Sequence, residues 1–207
     1  KDDKNWLFVN QTLTFSGSDV VYNESPDPLF VENSILYGVD DENHNSTGST
    51  GYGAAWADYD NDDDFDLYLT NWGKNRLYQN NSTSFTNIAE NLNLESDSLS
   101  NGAGWGDFNN DGYIDLWSNN FKREDDLFFN LSHLNQDWDN SHNPFYLSAT
   151  QDVIPVDYNN DGWLDMFTPG LLMAHEHGVE GVLGYKYTSL LYKNTLSDSL
   201  SYNWFIL

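Results

Sequence analysis

Three short stretches of the sequence carry acidic and amide side chains at alternating positions. The first, D-Y-D-N-D-D-D-F-D, runs from Asp58 to Asp66. The second, D-F-N-N-D-G-Y-I-D, runs from Asp107 to Asp115, and the third, D-Y-N-N-D-G-W-L-D, runs from Asp157 to Asp165. Carboxylates packed this densely repel one another unless a cation lies among them. Because Ca²⁺ takes roughly six to eight oxygen ligands from carboxylates, amides and backbone carbonyls, the pattern predicts three calcium loops.

The spacing also predicts which residues of each nine-residue loop are the ligands. Positions 1, 3, 5 and 9 supply side-chain oxygens, and position 7 varies in type, so its backbone carbonyl is the expected ligand. Position 6 is Gly112 or Gly162, which suits a positive φ at a sharp turn, but it is Asp63 in the first loop, where that φ has some cost. The predicted ligands are Asp58, Asp60, Asp62, Asp64 and Asp66; Asp107, Asn109, Asp111, Tyr113 and Asp115; and Asp157, Asn159, Asp161, Trp163 and Asp165.

Other interpretations of the acidic stretches are less favoured. Any one of them alone could be a solvated turn, but recurrence about every 50 residues favours a cation. An EF-hand needs Glu at position 12 and flanking helices, whereas position 12 is Leu69, Ser118 or Thr168 here. Mg²⁺ is less favoured than Ca²⁺, because it keeps several waters and rarely uses an all-protein cage.

Short runs of alternating apolar and polar residues flank the loops and predict an all-β fold. A lead-in strand precedes each loop and an alternating strand follows it. A further strand recurs at 5–10, 75–80, 126–130 and 190–194. The repeating unit is therefore strand, acidic loop, strand, turn, strand, strand. A unit of about 50 residues with four strands fits a β-propeller blade.

We predict a partial β-propeller of about three and a half four-stranded blades, with a Ca²⁺ loop between strands 1 and 2 of each complete blade. Most propellers have roughly four to eight blades, so the missing ones are expected from the rest of a longer chain or from a partner chain. The chain begins inside a repeat without an initiator Met, which indicates processing or a fragment. The predicted divisions are an outer half-blade at 1–20, a polar linker at 21–50, and blades at 51–100, 101–150 and 151–207, the last with an inserted loop at 170–186.

The composition excludes several classes of partner. The chain has 33 Asp and Glu against 8 Lys and Arg, a formal net charge of −25. This charge argues against nucleic acid and against docking on an anionic membrane surface. No apolar run approaches the roughly 18 residues that a membrane helix needs. The chain has no Cys, so a disulfide framework is excluded, although the compartment is not fixed by this.

The segment 170–186 holds the other candidate residues. His175, Glu176 and His177 form an H-x-H pattern that could bind a transition metal, but a solvated loop is the favoured interpretation. Met173, Tyr185 and Tyr187 could form a ligand surface, because binding residues favour loops on rigid scaffolds. The chain contains no nucleophile elbow, phosphate loop or zinc-protease motif.

The motifs G-A-A-W-A-D-Y-D-N-D-x-D-x-D-L-Y-L-T-N, G-A-G-W-G-D-F-N-N-D-G-Y-I-D-L and N-x-L-Y-x-N-x-x-x-x-F resemble the FG-GAP / VCBS repeat family of integrin-α-like calcium propellers. The resemblance covers residues 53–195 and, in part, 5–20. It implies that positions 1, 3, 5, 7 and 9 of each loop bind Ca²⁺, and Asp63 departs from the Gly of the family pattern. The motif order is similar to that of secreted bacterial proteins in which such repeats precede an ASPIC/UnbV-type module, and residues 203–207 resemble the start of that module.

Residues and resemblance together predict a calcium-stabilised scaffold that binds a protein or glycan partner and is not expected to be an enzyme. An extracellular, cell-surface or periplasmic location fits, because Ca²⁺ is abundant outside cells. The alternative is part of a propeller-fold carbohydrate-active enzyme, a polysaccharide lyase or glycoside hydrolase. Such an enzyme would need a cleft with a His, a Tyr or paired carboxylates.

Overall fold

The fold is all-β with antiparallel sheets, as the sequence predicts. Within the described part of the chain, the helical elements are one short α-helix and one 3-10 turn. No helix in that part is long and apolar enough to cross a membrane. The computed structural model describes residues 8–10, 13–16, 19–22, 30–32, 34–39, 51–120, 125–134, 136–140, 151–169, 189–194 and 204–206.

The N-terminal region forms two separate strand pairs. β1 (Phe8–Asn10) pairs antiparallel with β4 (Phe30–Glu32), and β2 (Leu13–Ser16) pairs with β3 (Asp19–Tyr22). The helix α1 (Ser34–Tyr37) follows β4. The predicted linker at 21–50 therefore contains regular elements, and the assignment of 1–20 to an outer half-blade stays a prediction.

The first acidic loop belongs to a four-stranded meander. Its strands are β5 (Gly51–Ala57), β6 (Asp66–Lys74), β7 (Arg76–Asn80) and β8 (Phe85–Asn87), each paired antiparallel with the next. The loop joins β5 to β6, so it connects the first and second strands of the unit, as predicted.

The second unit repeats this order. Its strands are β9 (Asp97–Gly106), β10 (Asp115–Asn120) and β11 (Asp126–Phe128), and a bridge between Phe129 and Asp139 lies beside β11. The 3-10 turn (Ser132–Leu134) lies between the two bridge residues in sequence. The acidic loop again joins the first strand to the second.

The third unit has β12 (Ile154–Val156), β13 (Asp165–Thr168), β14 (Leu190–Asn194) and β15 (Trp204–Ile206), paired in that order. The sequence predicts an inserted loop at 170–186, and this range lies outside the described residues. The residues on either side of it pair as neighbouring strands, because Thr168 lies opposite Leu190.

Neighbouring units approach each other closely at glycines in the first strands of the first two units. A Cβ atom on Gly53 would lie 2.6 Å from the Asn101 carbonyl oxygen, and one on Gly102 would lie 2.7 Å from the Asp152 Cα. Any larger side chain at these positions would push the strands apart. The end of β6 also pairs with the start of β9, Trp72 opposite Leu99, which joins the first two units into one sheet. The small residues that the sequence places in these strands therefore permit close packing of the units.

The apolar cores lie between the units. Tyr59, Tyr68 and Leu77 of the first unit pack with Leu116 and Phe128 of the second. A second core contains residues of the second and third units, among them Phe108, Trp117, Leu127, Met166 and Tyr192. A smaller cluster on the opposite face of the first unit joins Leu67 and Tyr78 to Val39, just after α1. Because neighbouring units share each larger core, their relative position is stabilised by burial of apolar surface.

Candidate metal centres

Strand pairing brings the two ends of each acidic loop together. Ala57 lies opposite Asp66, Gly106 opposite Asp115, and Val156 opposite Asp165. The residue before position 1 therefore lies across the ladder from position 9. This register places the first and last predicted ligands at the same end of two adjacent strands in every unit.

The carboxylate at position 1 holds each loop in a tight wrap. Asp58 accepts the backbone N–H groups of positions 5 and 6 at 3.0 and 3.1 Å. Asp107 accepts the corresponding groups at 3.0 and 2.9 Å, and Asp157 accepts them at 3.1 and 3.0 Å. The first loop thus adopts the same wrap as the two Gly-bearing loops.

The carboxylate at position 5 accepts the N–H of position 7 in all three loops. The distances are 3.0 Å for Asp62, 2.9 Å for Asp111 and 3.1 Å for Asp161. This bond closes a tight turn over positions 5 to 7. A short-range turn of this kind is typical of Asp and Asn, whose side chains bond to the backbone two residues on.

Position 3 differs between the loops. The side-chain oxygens of Asn109 and Asn159 accept the N–H of position 5 at 3.0 and 2.8 Å. Asp60 in the first loop instead accepts a bond from the Gln79 side-chain nitrogen at 2.7 Å. The first loop therefore holds an additional carboxylate at position 3, fixed by a neutral donor from β7.

Two positions in each loop have left-handed backbone conformations. Position 6 has φ of 71° at Asp63, 89° at Gly112 and 87° at Gly162, as the sequence predicts. Position 4 has φ of 60° at Asn61, and Asn110 and Asn160 are similar at 55° and 58°. The left-handed conformation at position 4 was not predicted from the sequence. Its signal there is the Asn present in all three loops, because Asn adopts this conformation more readily than most residues.

The carboxylate at position 9 is fully buried in each unit. Asp66, Asp115 and Asp165 are each 0% exposed. Asp115 accepts the N–H of Phe108 and of Asn130, both at 2.9 Å, and Asp66 accepts the N–H of Asn80 at 2.8 Å. Burial, and to a smaller extent the neighbouring loop carboxylates, raises the pKa of Asp115 to about 8 and the pKa of Asp66 to about 6. The pKa of Asp165 is raised for the same reasons.

The Asn at the end of each third strand is a second set of residues that sequence reasoning missed. The side-chain nitrogen of Asn80 donates to the Phe65 carbonyl at 3.1 Å. Those of Asn130 and Asn194 donate to the carbonyls of Ile114 and Leu164 at 3.3 and 3.1 Å. The recurring Asn in N-R-L-Y-Q-N, L-F-F-N and L-Y-K-N is the sequence signal for this contact, which holds position 8 of each loop.

The oxygens at the centre of the first loop fit one cation. Carboxylate oxygens of Asp58, Asp60 and Asp66 all lie within 4.8 Å of one another. Ligands about 2.3–2.6 Å from a shared Ca²⁺ lie at most about twice that distance apart, so the three can bind one ion. In the third loop the buried Oδ2 of Asp165 makes no hydrogen bond of standard geometry among the described residues, although the Tyr158 N–H lies near enough to the carboxylate to lower its pKa, so the oxygen can still act as a ligand.

The side chains at position 7 of the first two loops make contacts of their own. The Asp64 carboxylate accepts the Ser82 hydroxyl at 2.6 Å, and the Tyr113 ring stacks on His133 with centroids 4.3 Å apart. These contacts leave the backbone carbonyl of position 7 as the ligand expected there.

Basic side chains lie near position 5 in two loops. His133 Nε2 is 3.9 Å from the Asp111 carboxylate, and Lys193 Nζ is 3.6 Å from the Asp161 carboxylate. The pKa of Asp161 is lowered, first by the Trp163 N–H and also by Lys193.

The other candidate residues stay untested by the structure. His175, Glu176, His177, Met173, Tyr185 and Tyr187 all lie outside the described residues.

The fold and the loops define a class of protein: all-β, with antiparallel units that each present a tightly wrapped acidic loop at one end. Residues 58–118 match the model of the FG-GAP-like repeat. The matched segment begins at the first acidic loop and extends into β10, and so includes the second acidic loop. This part of the chain is similar to an FG-GAP-like repeat, as the motifs in the sequence indicate. A comparison with curated proteins finds no match.

Proposed function

We propose that the chain is a calcium-binding scaffold in which each acidic loop binds one Ca²⁺. The repeated geometry at position 9 carries the proposal, because a fully buried carboxylate lies beside a carboxylate-rich loop in all three units. Burial, and to a smaller extent repulsion from neighbouring loop carboxylates, raises the pKa values of Asp66 and Asp115, and a bound cation would offset both effects. The cation would also tie the first two strands of each unit together.

We propose the ligands that the sequence predicts: side-chain oxygens of positions 1, 3, 5 and 9 and the carbonyl of position 7. The oxygen-only donor set suits Ca²⁺, which accepts carboxylates, amide oxygens and backbone carbonyls. About three ions would therefore bind per chain. They would neutralise part of the charge of −25.

The exposed surface of the third unit supports the proposal that further β-propeller blades, from a longer chain or a partner chain, pack against it. Tyr158 is 41% exposed, whereas its counterparts Tyr59 and Phe108 are 6% and 0% exposed against the following unit. Ile154 and Val156, two positions apart on β12, are also exposed. This patch is equivalent to surfaces that the next unit covers in the first two repeats.

We propose that the scaffold functions outside the cytoplasm, at a cell surface, in a periplasm or in the medium, and binds a protein or glycan. Calcium in these compartments is abundant enough to fill loops of modest affinity. Catalysis on polysaccharides is the competing function. Release of new reducing ends from acidic polysaccharides would favour the enzyme, and binding without turnover would favour the scaffold.

Calcium titration of the metal-free protein tests the central proposal. We expect binding heat for about three ions and a melting temperature that rises with calcium concentration, because a ligand specific for the folded state stabilises it. Mg²⁺ at the same concentration is the control and should raise the melting temperature less. An unchanged midpoint together with the absence of binding heat would refute calcium binding.

A further inference from the structure

We propose that Asn130 and Asn194 are positioning residues that join neighbouring acidic loops, so that calcium binding in one loop raises the calcium affinity of the next. The inference rests on the proposed function, because it concerns the same three loops. Asn194 is the last residue of β14, Asn130 lies two residues after the end of β11, and neither is a predicted ligand.

Asn130 contacts two loops at once. Its backbone N–H donates to Asp115 Oδ1 at 2.9 Å, and its side-chain nitrogen donates to the Ile114 carbonyl at 3.3 Å. Both of these groups belong to the second loop. The same side-chain nitrogen donates to the Tyr59 carbonyl of the first loop at 3.1 Å. A single residue therefore binds the last ligand of one loop and the backbone of another.

The contact on the first loop lies between two of its ligands. Tyr59 separates Asp58 from Asp60, and its carbonyl direction sets how the chain runs from one carboxylate to the other. Asn130 is 1% exposed and Tyr59 is 6% exposed, so water does not readily replace this bond. Movement of Asn130 would consequently move the segment that carries two ligands of the first loop.

The next junction repeats the arrangement. The Asn194 N–H donates to Asp165 Oδ1 at 2.8 Å, and its side-chain nitrogen donates to the carbonyls of Leu164 and Phe108 at 3.1 and 2.9 Å. Phe108 occupies the same position in the second loop as Tyr59 in the first. This recurrence indicates that the contact is part of how the repeats pack together.

A direct contact also joins the second and third loops. The Asn110 side-chain nitrogen donates to the Gly162 carbonyl at 3.0 Å. The effect of a single Asn is therefore better tested at the junction between the first two loops, where Asn130 can be changed without this additional contact.

Asn80 provides a matched control within the same chain. Its N–H donates to Asp66 Oδ1 at 2.8 Å, and its side-chain nitrogen donates to the Phe65 carbonyl at 3.1 Å. These are the bonds within the unit that Asn130 also makes. Among the described residues, the Asn80 side chain makes no bond to a neighbouring loop.

Coupling follows from these contacts. Calcium in the second loop would fix Asp115, which would hold Asn130 and with it the Tyr59 carbonyl. The first loop would then lose less conformational freedom when it binds its own ion, and ordering of this kind makes binding at two sites cooperative. Coupling between sites is reciprocal, so the first loop would strengthen the second by the same factor.

Calorimetric titration of the chain tests the coupling. The second loop is disabled by Asp107→Ala, and the binding step lost in Asp58→Ala identifies the first loop. We expect Asp107→Ala to weaken the first loop about fivefold or more when Asn130 is present. In an Asn130→Ala background Asp107→Ala should have no further effect, whereas in an Asn80→Ala background the fivefold dependence should remain. If Asn130 had a purely structural role, Asn130→Ala would lower stability, but the calcium affinity of the first loop would still depend on the second loop.

A measurement on the unaltered chain covers the case in which Asn130→Ala does not fold. The side-chain amide NMR signals of Asn130 should shift when either the first or the second loop fills with calcium, because the side chain contacts both. The inference would be overturned if the calcium affinity of the first loop did not depend on the second loop, or if the Asn130 signals shifted when only one of the two loops filled. Either result would leave the proposal of calcium binding intact. Absence of calcium binding in the unaltered chain and in all of its variants would instead refute the proposed function.

Discussion

The first and second acidic loops reach the same backbone wrap with different residues. The first has six Asp residues, and the second has three Asp residues with Asn109 and Gly112 at two of the other positions. In both, position 1 accepts the N–H groups of positions 5 and 6 at about the same distances. The wrap therefore depends on the residues that the loops share, and not on total charge or on glycine.

The two loops differ most in how their position 9 carboxylate is held. Burial raises the pKa of Asp66 to about 6 and that of Asp115 to about 8. Asn80 beside Asp66 is half-buried, whereas Asn130 beside Asp115 is fully buried between two units. The second loop is thus the more enclosed site, and the first is the more charged and more open one. Enclosure and charge should therefore affect the calcium affinity and the stability of the two loops differently.

The largest expected difference concerns the position 9 ligand. Asp115→Asn should weaken calcium binding in the second loop by on the order of 100-fold, because only two carboxylates remain there. Asp66→Asn should weaken the first loop by roughly tenfold, because carboxylates remain at three other ligand positions, those of Asp58, Asp60 and Asp62. Calorimetric titration measures both, with Asp97→Asn as a control acid outside the loops. Equal losses in the two loops would show that carboxylate number does not compensate for a missing ligand.

The pH dependence of stability should follow the more enclosed loop. The folded-state pKa values of Asp66 and Asp115, about 6 and about 8, exceed the ordinary value of 3.8. Their contribution to the free energy of unfolding is therefore fully present below the ordinary pKa and is lost as pH rises through the folded-state value. The metal-free protein should melt several degrees lower at about pH 8.5 than at about pH 5.5.

Calcium should reverse this pH trend, because it binds the ionised carboxylates. Melting scans at both pH values, with and without calcium, measure the effect. Asp115→Asn should flatten the metal-free slope more than Asp66→Asn does. Asp125, whose pKa burial raises to about 7, lies outside the loops and should leave a residual slope in both variants. A metal-free protein that grows more stable as pH rises would contradict the assignment.

Exchange of the position 6 residues should have a smaller effect. Asp63 has a φ of 71°, so Asp63→Gly should stabilise the metal-free protein by about 0.5–1 kcal/mol. Gly112→Asp should destabilise it by about 1 kcal/mol, and Gly162→Asp is the matched control. A Cβ at either glycine meets nothing within 4 Å, so steric overlap does not contribute, and the change combines the cost of the backbone conformation with one added loop charge. Urea unfolding measures the difference, and a destabilised Asp63→Gly protein would show that the Asp63 side chain contributes a contact of its own.

Local patterns predicted the loops and the strands beside them, because both depend on residues close in sequence. The alternation of Asp and Asn predicted the loop connection between the first two strands, and Gly112 predicted the left-handed turn. Contacts between units could not be predicted in the same way. The bond from Asn130 to Tyr59 spans 71 residues, and the bond from Asn194 to Phe108 spans 86.

A polar network in the second unit also escaped prediction. Asp125 is buried and accepts bonds from the Trp117 indole N–H at 3.3 Å, the Asn119 side chain at 3.1 Å and the Asn120 N–H at 2.9 Å. In the sequence, an acid before a short strand has the appearance of an exposed turn residue. Its burial depends on donors that the fold of β10 and β11 brings together, and neither strand alone indicates it.

The smallest predicted effect separates charge from enclosure most directly. Asp60→Asn gives the first loop the position 3 residue of the second, and Asn109→Asp makes the reverse change. The introduced amide oxygen can still accept the Gln79 bond, which is 2.7 Å long with Asp60, so the local contact is kept while one charge is removed. Calcium affinity should fall a few-fold in the first variant and rise a few-fold in the second, since ligand charge tunes calcium affinity. If neither affinity changes while Asp115→Asn abolishes binding, enclosure of position 9 determines calcium affinity and the additional carboxylates of the first loop contribute only to solubility.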